Sequence, residues 1–423
     1  VFNTGIASQL VPVTVVPASF VQNQPAPARA GLIVNGGDEA TTRNVGPLAG
    51  VVADDIFATA HPDFNIAVNG NLPGLAFGLD GLPIGDQLNL LSATSFNIFS
   101  DKSAPPNVSI LAGNDTFGIV NSSIERIMLT PGNGVINLIG DNNDAAIDQT
   151  DNMVVVGRDV NGDQIGQNEM TIAINGSSPI MAQGVNFLNV FGFDLRTTNG
   201  GGPIDLTNPD INGFVDNPAT GATADDIDTL DIRAYADDTP QGWGVEVNYN
   251  EGSPDAIDGD QSDLLIYRTS LYGGNVSEDI VIQPRGQEAG EINVTHAGFG
   301  TPIVDINYLN NLDIIVLDDD GSLNDTDSLT LRGTDPANPG ASGLDDFIVN
   351  LTNAGTIAEP LVDVRDFNAN ASLYRLRTFY DALGNPTFNK LNIEGLGGSD
   401  GLNLIAGRND GAVTINFDGG QPA

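Results

Sequence analysis

Aspartates gather in three short stretches of this chain at a density that points to cation chemistry. Asp141, Asp144, Asp148 and Asp151 crowd the first, Asp255, Asp258, Asp260 and Asp263 the second, and Asp318, Asp319, Asp320, Asp325 and Asp327 the third. Carboxylates packed that closely repel one another unless water or a cation separates them, and Ca2+, with its shell of several oxygen ligands, would relieve the repulsion. Asp400 adds a candidate ligand in a glycine-rich corner, Gly397-Gly398-Ser399-Asp400-Gly401. The competing reading is a solvated turn in which Asp serves because it tolerates unusual backbone angles. Asp159-Val160-Asn161-Gly162-Asp163 begins like an EF-hand loop, but Gln164 stands where that loop needs Gly and Met170 where it needs Glu.

Other chemistries find little footing. The chain has no cysteine, so disulfides, thiolate nucleophiles and cysteine-ligated metals are excluded. His61 sits in a turn-like His-Pro-Asp-Phe and His296 ends a strand-like Glu-Ile-Asn-Val-Thr-His, and neither has a serine or acid at a recognisable spacing. Asp54-Asp55 and Asp345-Asp346 have the composition of a glycosidase acid pair. In a chain with 55 acidic residues such pairs arise by chance, and we read the protein as not an enzyme. A β-helix polysaccharide lyase or hydrolase would need Arg233 or Arg268 beside acidic clusters in a groove. An adhesin or carbohydrate-binding stalk would need an exposed aromatic patch, for which Trp243, Tyr249, Tyr267 and Tyr272 are the candidates.

The charge balance narrows the partners. Against 55 acidic residues stand 15 basic ones, a formal charge of -40 over 423 residues, and Lys102 and Lys390 are the only lysines. Nucleic acid and anionic membranes need clustered Lys and Arg and are poor partners. Self-repulsion at this charge opposes a compact or assembled state until counter-ions neutralise it, which makes a divalent cation the natural cofactor. No run of 18 apolar residues is present, so no helix is expected to insert in a membrane. The sequence opens on Val1 rather than Met, which suggests a removed leader or a fragment, and an extracellular or cell-surface location is expected.

The elements that must carry these residues are short strands. Runs of four to seven residues with period-two alternation, bounded by Gly, Pro, Asn or Asp, recur from Asp54 onward, and helical periodicity is hardly visible. Residues 1–45 differ: two acids balance two arginines, and Val11, Val13 and Val15 line one face of an extended stretch. Pro12 and Pro17 confine that stretch to an edge. It reads either as a strand that docks into a neighbouring subunit or as a cap on its own chain. Residues 46–194 form a first strand-rich region, 195–224 a Gly-, Pro- and Asn-rich loop or insertion, and 225–423 a second strand-rich region. That region stops part-way through a unit, after Val413, Ile415 and Phe417.

A sentence repeats along the chain. Leu188-Asn189-Val190-Phe191-Gly192-Phe193-Asp194 and Leu312-Asp313-Ile314-Ile315-Val316-Leu317-Asp318 align without gaps on Leu391-Asn392-Ile393-Glu394-Gly395-Leu396-Gly397. Together with Ser328-Leu329-Thr330-Leu331 and Asp345-Asp346-Phe347, this grammar resembles the repeats of large secreted bacterial surface proteins, loosely related to haemolysin-type (RTX-like) calcium-binding repeats, with an S-layer-like composition. The match to the calcium nonapeptide itself is confined to Gly397–Leu402, and the units are unevenly spaced, so the regular calcium β-roll does not carry over. The resemblance implies a secreted, structural or adhesive β-rich array. We expect an all-β protein, an elongated, irregular β-solenoid-like array of short strands, with tandem β-sandwich modules as the alternative. The expected role is a structural subunit of a filament, sheath or S-layer. It would assemble head-to-tail with copies of itself by strand pairing and be stabilised by Ca2+, with surface polysaccharide as a further candidate partner.

Overall fold

The computed structural model describes the strand segments 2–3, 31–35, 55–59, 65–69, 76–77 and 83–84 and most of residues 87–191 and 229–420. Within those two long stretches the description omits 102–106, 113–118, 122–125, 141–150, 164, 178, 235–241, 251–263, 270–276, 299, 301, 310, 312, 318–326, 336–342, 351–361, 369–370, 377–389, 399 and 406–413. Every regular element among the described residues is a β-strand. The chain divides into two compact units, one made of residues 1–141, 159–188 and 194–207, the other of 142–158, 189–193 and 208–423.

In the second unit the chain passes back and forth between two sheets. One sheet holds, in spatial order, Asn152–Gly157, Thr229–Arg233, Leu264–Arg268, Asp313–Leu317, Ala371–Leu376, Val362–Asp366, Asp345–Asn350 and Gly401–Ile405. The other holds Glu246–Asn250, Pro302–Leu309, Ala289–His296, Glu278–Gly286, Ser328–Arg332, Lys390–Glu394 and Thr414–Asp418. Successive crossings pair in parallel, Leu230 beside Leu265 beside Ile314 in the first sheet and Leu329 beside Leu391 beside Ile415 in the second. Parallel neighbours need a long return connection, and here the strand in the opposite sheet supplies it. That connectivity is solenoid-like and differs from the antiparallel order of a sandwich module.

Two excursions make the winding irregular. Glu278–Gly286, Ala289–His296 and Pro302–Leu309 form an antiparallel meander in one sheet, and Asp345–Asn350, Val362–Asp366 and Ala371–Leu376 form another in its partner. In each meander the third strand pairs in parallel with the preceding crossing, Ile306 beside Val247 and Leu376 beside Ile314. The first strand pairs with the following one, Ile280 beside Leu329 and Phe347 beside Leu402. An odd number of antiparallel strands restores the original direction, so three strands widen a sheet without reversing the winding.

The core lies between inward positions two residues apart. Leu391 and Ile393 are 1% exposed, and Phe347, Val349, Ile280 and Ile282 are fully buried. This placement corrects one alignment made from sequence. Phe187–Phe191 and Lys390–Glu394 lie in the same kind of row, each with an Asn at its centre. The third supposed copy, Asp313–Leu317, belongs to the opposite sheet, and there the buried Asp313 accepts bonds from Arg375 Nε at 2.9 Å and the terminal guanidinium nitrogen at 3.2 Å. The alternation of Leu, polar residue and Ile is identical in both sheets, so alternation alone does not assign a strand to one of them.

The first unit follows the same rule on a smaller scale. Asp55–Thr59, Gln87–Ser92 and Arg126–Pro131 pair in parallel, as do Phe96–Asp101 and Val135–Ile139. Ile180–Gln183, in a hairpin with Glu169–Ile174, pairs in parallel with Arg126–Pro131. Phe2–Asn3, Gly31–Asn35, Asn65–Asn69 and Ile119–Asn121 form a separate all-parallel sheet. Val11, Val13 and Val15 and the stretch 195–224 lie outside the described residues.

Candidate functional site

The two sheets of the second unit end on Gly401–Ile405 and Thr414–Asp418, and these ends carry the most distinctive surface. Among the described residues Gly401–Ile405 pairs on one side only, with Asp345–Asn350, and Thr414–Asp418 only with Lys390–Glu394. Leu402 and Leu404 occupy the rows of the buried Phe347 and Val349, and Ile415 and Phe417 those of the buried Leu391 and Ile393. By register they are core residues. Leu404 is nevertheless 47% exposed and Phe417 40%, because no further layer covers them among the described residues. The Phe417 ring meets Phe347 edge-on, with centroids 6.3 Å apart. A covering strand would bury the part of these side chains that is still exposed, a gain of roughly 1 kcal/mol for each large one, and would satisfy a row of open backbone N–H and C=O groups. Of the expected assembly residues, Ile415 and Phe417 sit on this end, while Val413 lies outside the described residues.

A column of amides runs across the strands of the same sheet. Asn248 Nδ2 donates to Asn189 Oδ1 at 3.1 Å and Asn307 Nδ2 to Asn248 Oδ1 at 3.1 Å. Beyond the meander, in a row two residues removed, Asn392 Nδ2 donates to Thr330 Oγ1 at 3.2 Å and Asn416 Nδ2 to Asn392 Oδ1 at 3.0 Å. In the first unit Asn137 Nδ2 donates to the buried Asn97 Oδ1 at 2.6 Å. The recurrence of an apolar residue, Asn or Thr, and another apolar residue is the sequence signal that would have revealed the column.

Among the described residues the buried carboxylates form corners between strands. Asp345 is buried; its carboxylate accepts from Thr334 N at 2.7 Å and from the Thr334 hydroxyl at 3.1 Å, and its own N–H donates to Asp400 Oδ1 at 3.0 Å. Burial pushes the Asp345 carboxyl up to about 6, with Asp400 and Asp366 adding to the rise against the Thr334 donors. Asp400 is raised by burial too, and then by Asp346. The glycine-rich corner around Asp400 answers to close packing: a Cβ on Gly398, whose φ is +115°, would stand 1.5 Å from the Gly343 carbonyl oxygen. A second corner joins the fully buried Glu278, which accepts from Tyr267 Oη at 2.7 Å and donates its N–H to Asp327 Oδ1 at 2.7 Å. Burial, then the Glu278 and Asp327 charges, pushes the Tyr267 hydroxyl well above its ordinary value.

The EF-hand-like start resolves into a closed turn. Asp159 Oδ1 accepts from Gly162 N at 2.6 Å and Asp163 Oδ1 from Ile165 N at 2.8 Å. Glu169, one position earlier than the ligand of such a loop, turns inward and accepts from Val160 N at 2.8 Å and Asn161 N at 3.3 Å. Burial raises its carboxyl, and the Asp163 and Asp159 charges contribute. Met170 is fully buried in the core. Asp151 is buried, and its carbonyl accepts from Thr229 N at 2.8 Å. Asp141, Asp144, Asp148, Asp255, Asp258, Asp260, Asp263, Asp318, Asp319, Asp320 and Asp325 lie outside the described residues. Among the described residues no three of His, Asp and Glu converge on a common cation position.

The residues named for other chemistries have structural partners. Trp243 and Tyr267 are fully buried and Tyr249 is 3% exposed, so these three do not form a sugar-stacking surface; Tyr272 lies outside the described residues. Arg268 Nε donates to both oxygens of Asp231, at 2.8 and 2.9 Å, and stands in register beside Arg233. His296 is buried at the end of its strand, opposite Glu278 in the ladder. No helix among the described residues is long and apolar enough to cross a membrane, which says nothing about a β-barrel. The chain matches no family model, no curated protein and no solved structure.

Proposed function

We propose that this protein is a structural subunit of an extracellular polymer of bacterial type, built head-to-tail by adding a strand of one copy to the open sheet ends of the next. The observation that carries the reading is the end of the second unit. Of the residues whose register makes them core, Leu404 and Phe417 stand exposed and Leu402 and Ile415 half-buried, on two strands that each have one open edge among the described residues. Strand addition supplies backbone hydrogen bonds and covers apolar side chains at one stroke. In the same reading Ca2+ neutralises the acidic stretches 141–151, 255–263 and 318–327, lowering the repulsion between copies of a strongly acidic chain. With Trp243, Tyr249 and Tyr267 inside the core, the carbohydrate-binding alternative keeps none of its named aromatic candidates among the described residues.

Negative-stain microscopy and sedimentation of the purified chain test this. Filaments or sheets are expected in millimolar Ca2+, fraying in EGTA, and Phe417→Lys is expected to abolish them while the far-UV β signal persists. A monodisperse monomer at every concentration, with and without Ca2+, would overturn the reading.

A further inference from the structure

The amide column has a direction. Every rung donates its Nδ2 toward the N-terminal neighbour: Asn248 to Asn189, Asn307 to Asn248, Asn392 to Thr330 and Asn416 to Asn392. Each rung therefore offers its own oxygen to the strand that follows. Thr414–Asp418 is the last strand of its sheet, so among the described residues the oxygen of Asn416 faces no further rung. A strand added there in parallel must bring a short side-chain donor opposite Asn416 and apolar residues opposite Ile415 and Phe417. Thr330, between Leu329 and Leu331, occupies a rung of this same column as the acceptor from Asn392, and a threonine hydroxyl can equally donate.

We infer that this end recognises Val13-Thr14-Val15 of a second copy, with Thr14 opposite Asn416, Val13 opposite Ile415 and Val15 opposite Phe417. The inference rests on the assembly reading above and adds its register. Three observations select the segment. It repeats the apolar-Thr-apolar pattern of Leu329–Leu331. It belongs to the first 44 residues, where Asp38 and Glu39 are balanced by Arg29 and Arg43, so it approaches an acidic body without net charge of its own. It also lies within residues 4–30, between the strands Phe2–Asn3 and Gly31–Asn35, and eleven residues from Asn3 give Thr14 a reach of about 35 Å. Pro12 and Pro17 bracket it and stop the ladder from extending, which limits addition to one strand.

The absence of cysteine from the chain makes the register directly measurable. Facing residues on neighbouring strands lie about 5 Å apart at Cα, within disulfide range. In the full-length chain carrying Thr14→Cys and Asn416→Cys, oxidation after assembly is expected to give a ladder of covalent oligomers on a non-reducing gel. The shifted pair Thr14→Cys and Phe417→Cys is expected to give none. Asn416→Leu alone is expected to raise the critical concentration about fivefold to tenfold, the loss of one modest hydrogen bond per contact. Filaments that form without the Thr14–Asn416 cross-link, or with the shifted pair cross-linking equally, overturn the register and leave the assembly reading standing. A disulfide closed within single chains also overturns it, making the segment a cap on its own molecule. Failure of the unmodified chain to assemble overturns both.

Discussion

Asp345 is the side chain whose environment is most at odds with its charge. It is 1% exposed, and although Thr334 donates to it twice, its carboxyl is held at about 6 because burial outweighs those donors and Asp400 and Asp366 add like charge. An acid whose folded value exceeds its unfolded one favours the fold most when protonated. Its contribution is complete below about pH 4 and is lost as pH rises through about 6, amounting to about 2–3 kcal/mol over that window. Acid protonation elsewhere also lowers the charge of this molecule, so the readout is a difference between proteins. Asp345→Asn keeps an acceptor for Thr334 and removes the titration. Thermal unfolding from pH 4 to pH 7 should fall less steeply in Asp345→Asn than in the unmodified chain. Parallel curves for the two proteins would show that burial at this corner does not bias the proton. The sequence pointed to Asp345 only as half of a chance acid pair, since Thr334 lies eleven residues away and a corner between strands makes the contact. Glu169 was passed over for a similar reason: the search for a loop ligand stopped at Met170, and which of the two residues turns inward depends on the strand that follows.

At the scale of the strand, alternation made most elements legible and left their neighbours undetermined. Ile280, Ile282, Leu391 and Ile393 are inward residues by period two in the sequence and are buried in the structure. Alternation says nothing about parallel or antiparallel pairing, so the two three-stranded meanders read as ordinary strands of the array. It also let Asp313–Leu317 pass as a copy of Lys390–Glu394, although the two strands lie in opposite sheets. Cross-strand side chains break that degeneracy. Asn97 and Asn137, 2% and 1% exposed, face one another, and their amide bond is 2.6 Å long. Removing one side of a buried pair takes this bond from the other amide and leaves a gap where the removed side chain packed. Asn137→Ala should therefore destabilise the fold by about 1–3 kcal/mol. The double variant with Asn97→Ala should cost less than the sum of the single changes by about 1 kcal/mol, measured as urea midpoints in a double-mutant cycle. Strict additivity would mean that the two amides do not depend on one another.

For the whole molecule the deciding quantity is charge. A chain at -40 holds its sheets together against its own field, and two kinds of ion reduce that field in different ways. Monovalent salt at about 0.15 M screens exposed charges beyond about 8 Å without bridging carboxylates. Calcium at a few millimolar adds little ionic strength but bridges carboxylates that lie a few ångströms apart, and the three acidic stretches are where the sequence crowds aspartates. If those stretches bind Ca2+ with the affinity usual for extracellular sites, on the order of 0.1 mM, then 5 mM Ca2+ stabilises the fold by about 2 kcal/mol for each independent site. Thermal melts at fixed total ionic strength separate the two effects. Ca2+ should raise the midpoint well beyond matched NaCl, and Mg2+, which dehydrates reluctantly, should fall between them. Replacing Asp318, Asp319 and Asp320 by Asn should remove part of the Ca2+ increment while raising the midpoint in NaCl alone, since repulsion falls with the charge. Equal midpoints in Ca2+, Mg2+ and matched NaCl would reduce the acidic stretches to solvated turns that carry surplus charge, and the proposed polymer would then have to overcome that charge by strand pairing alone.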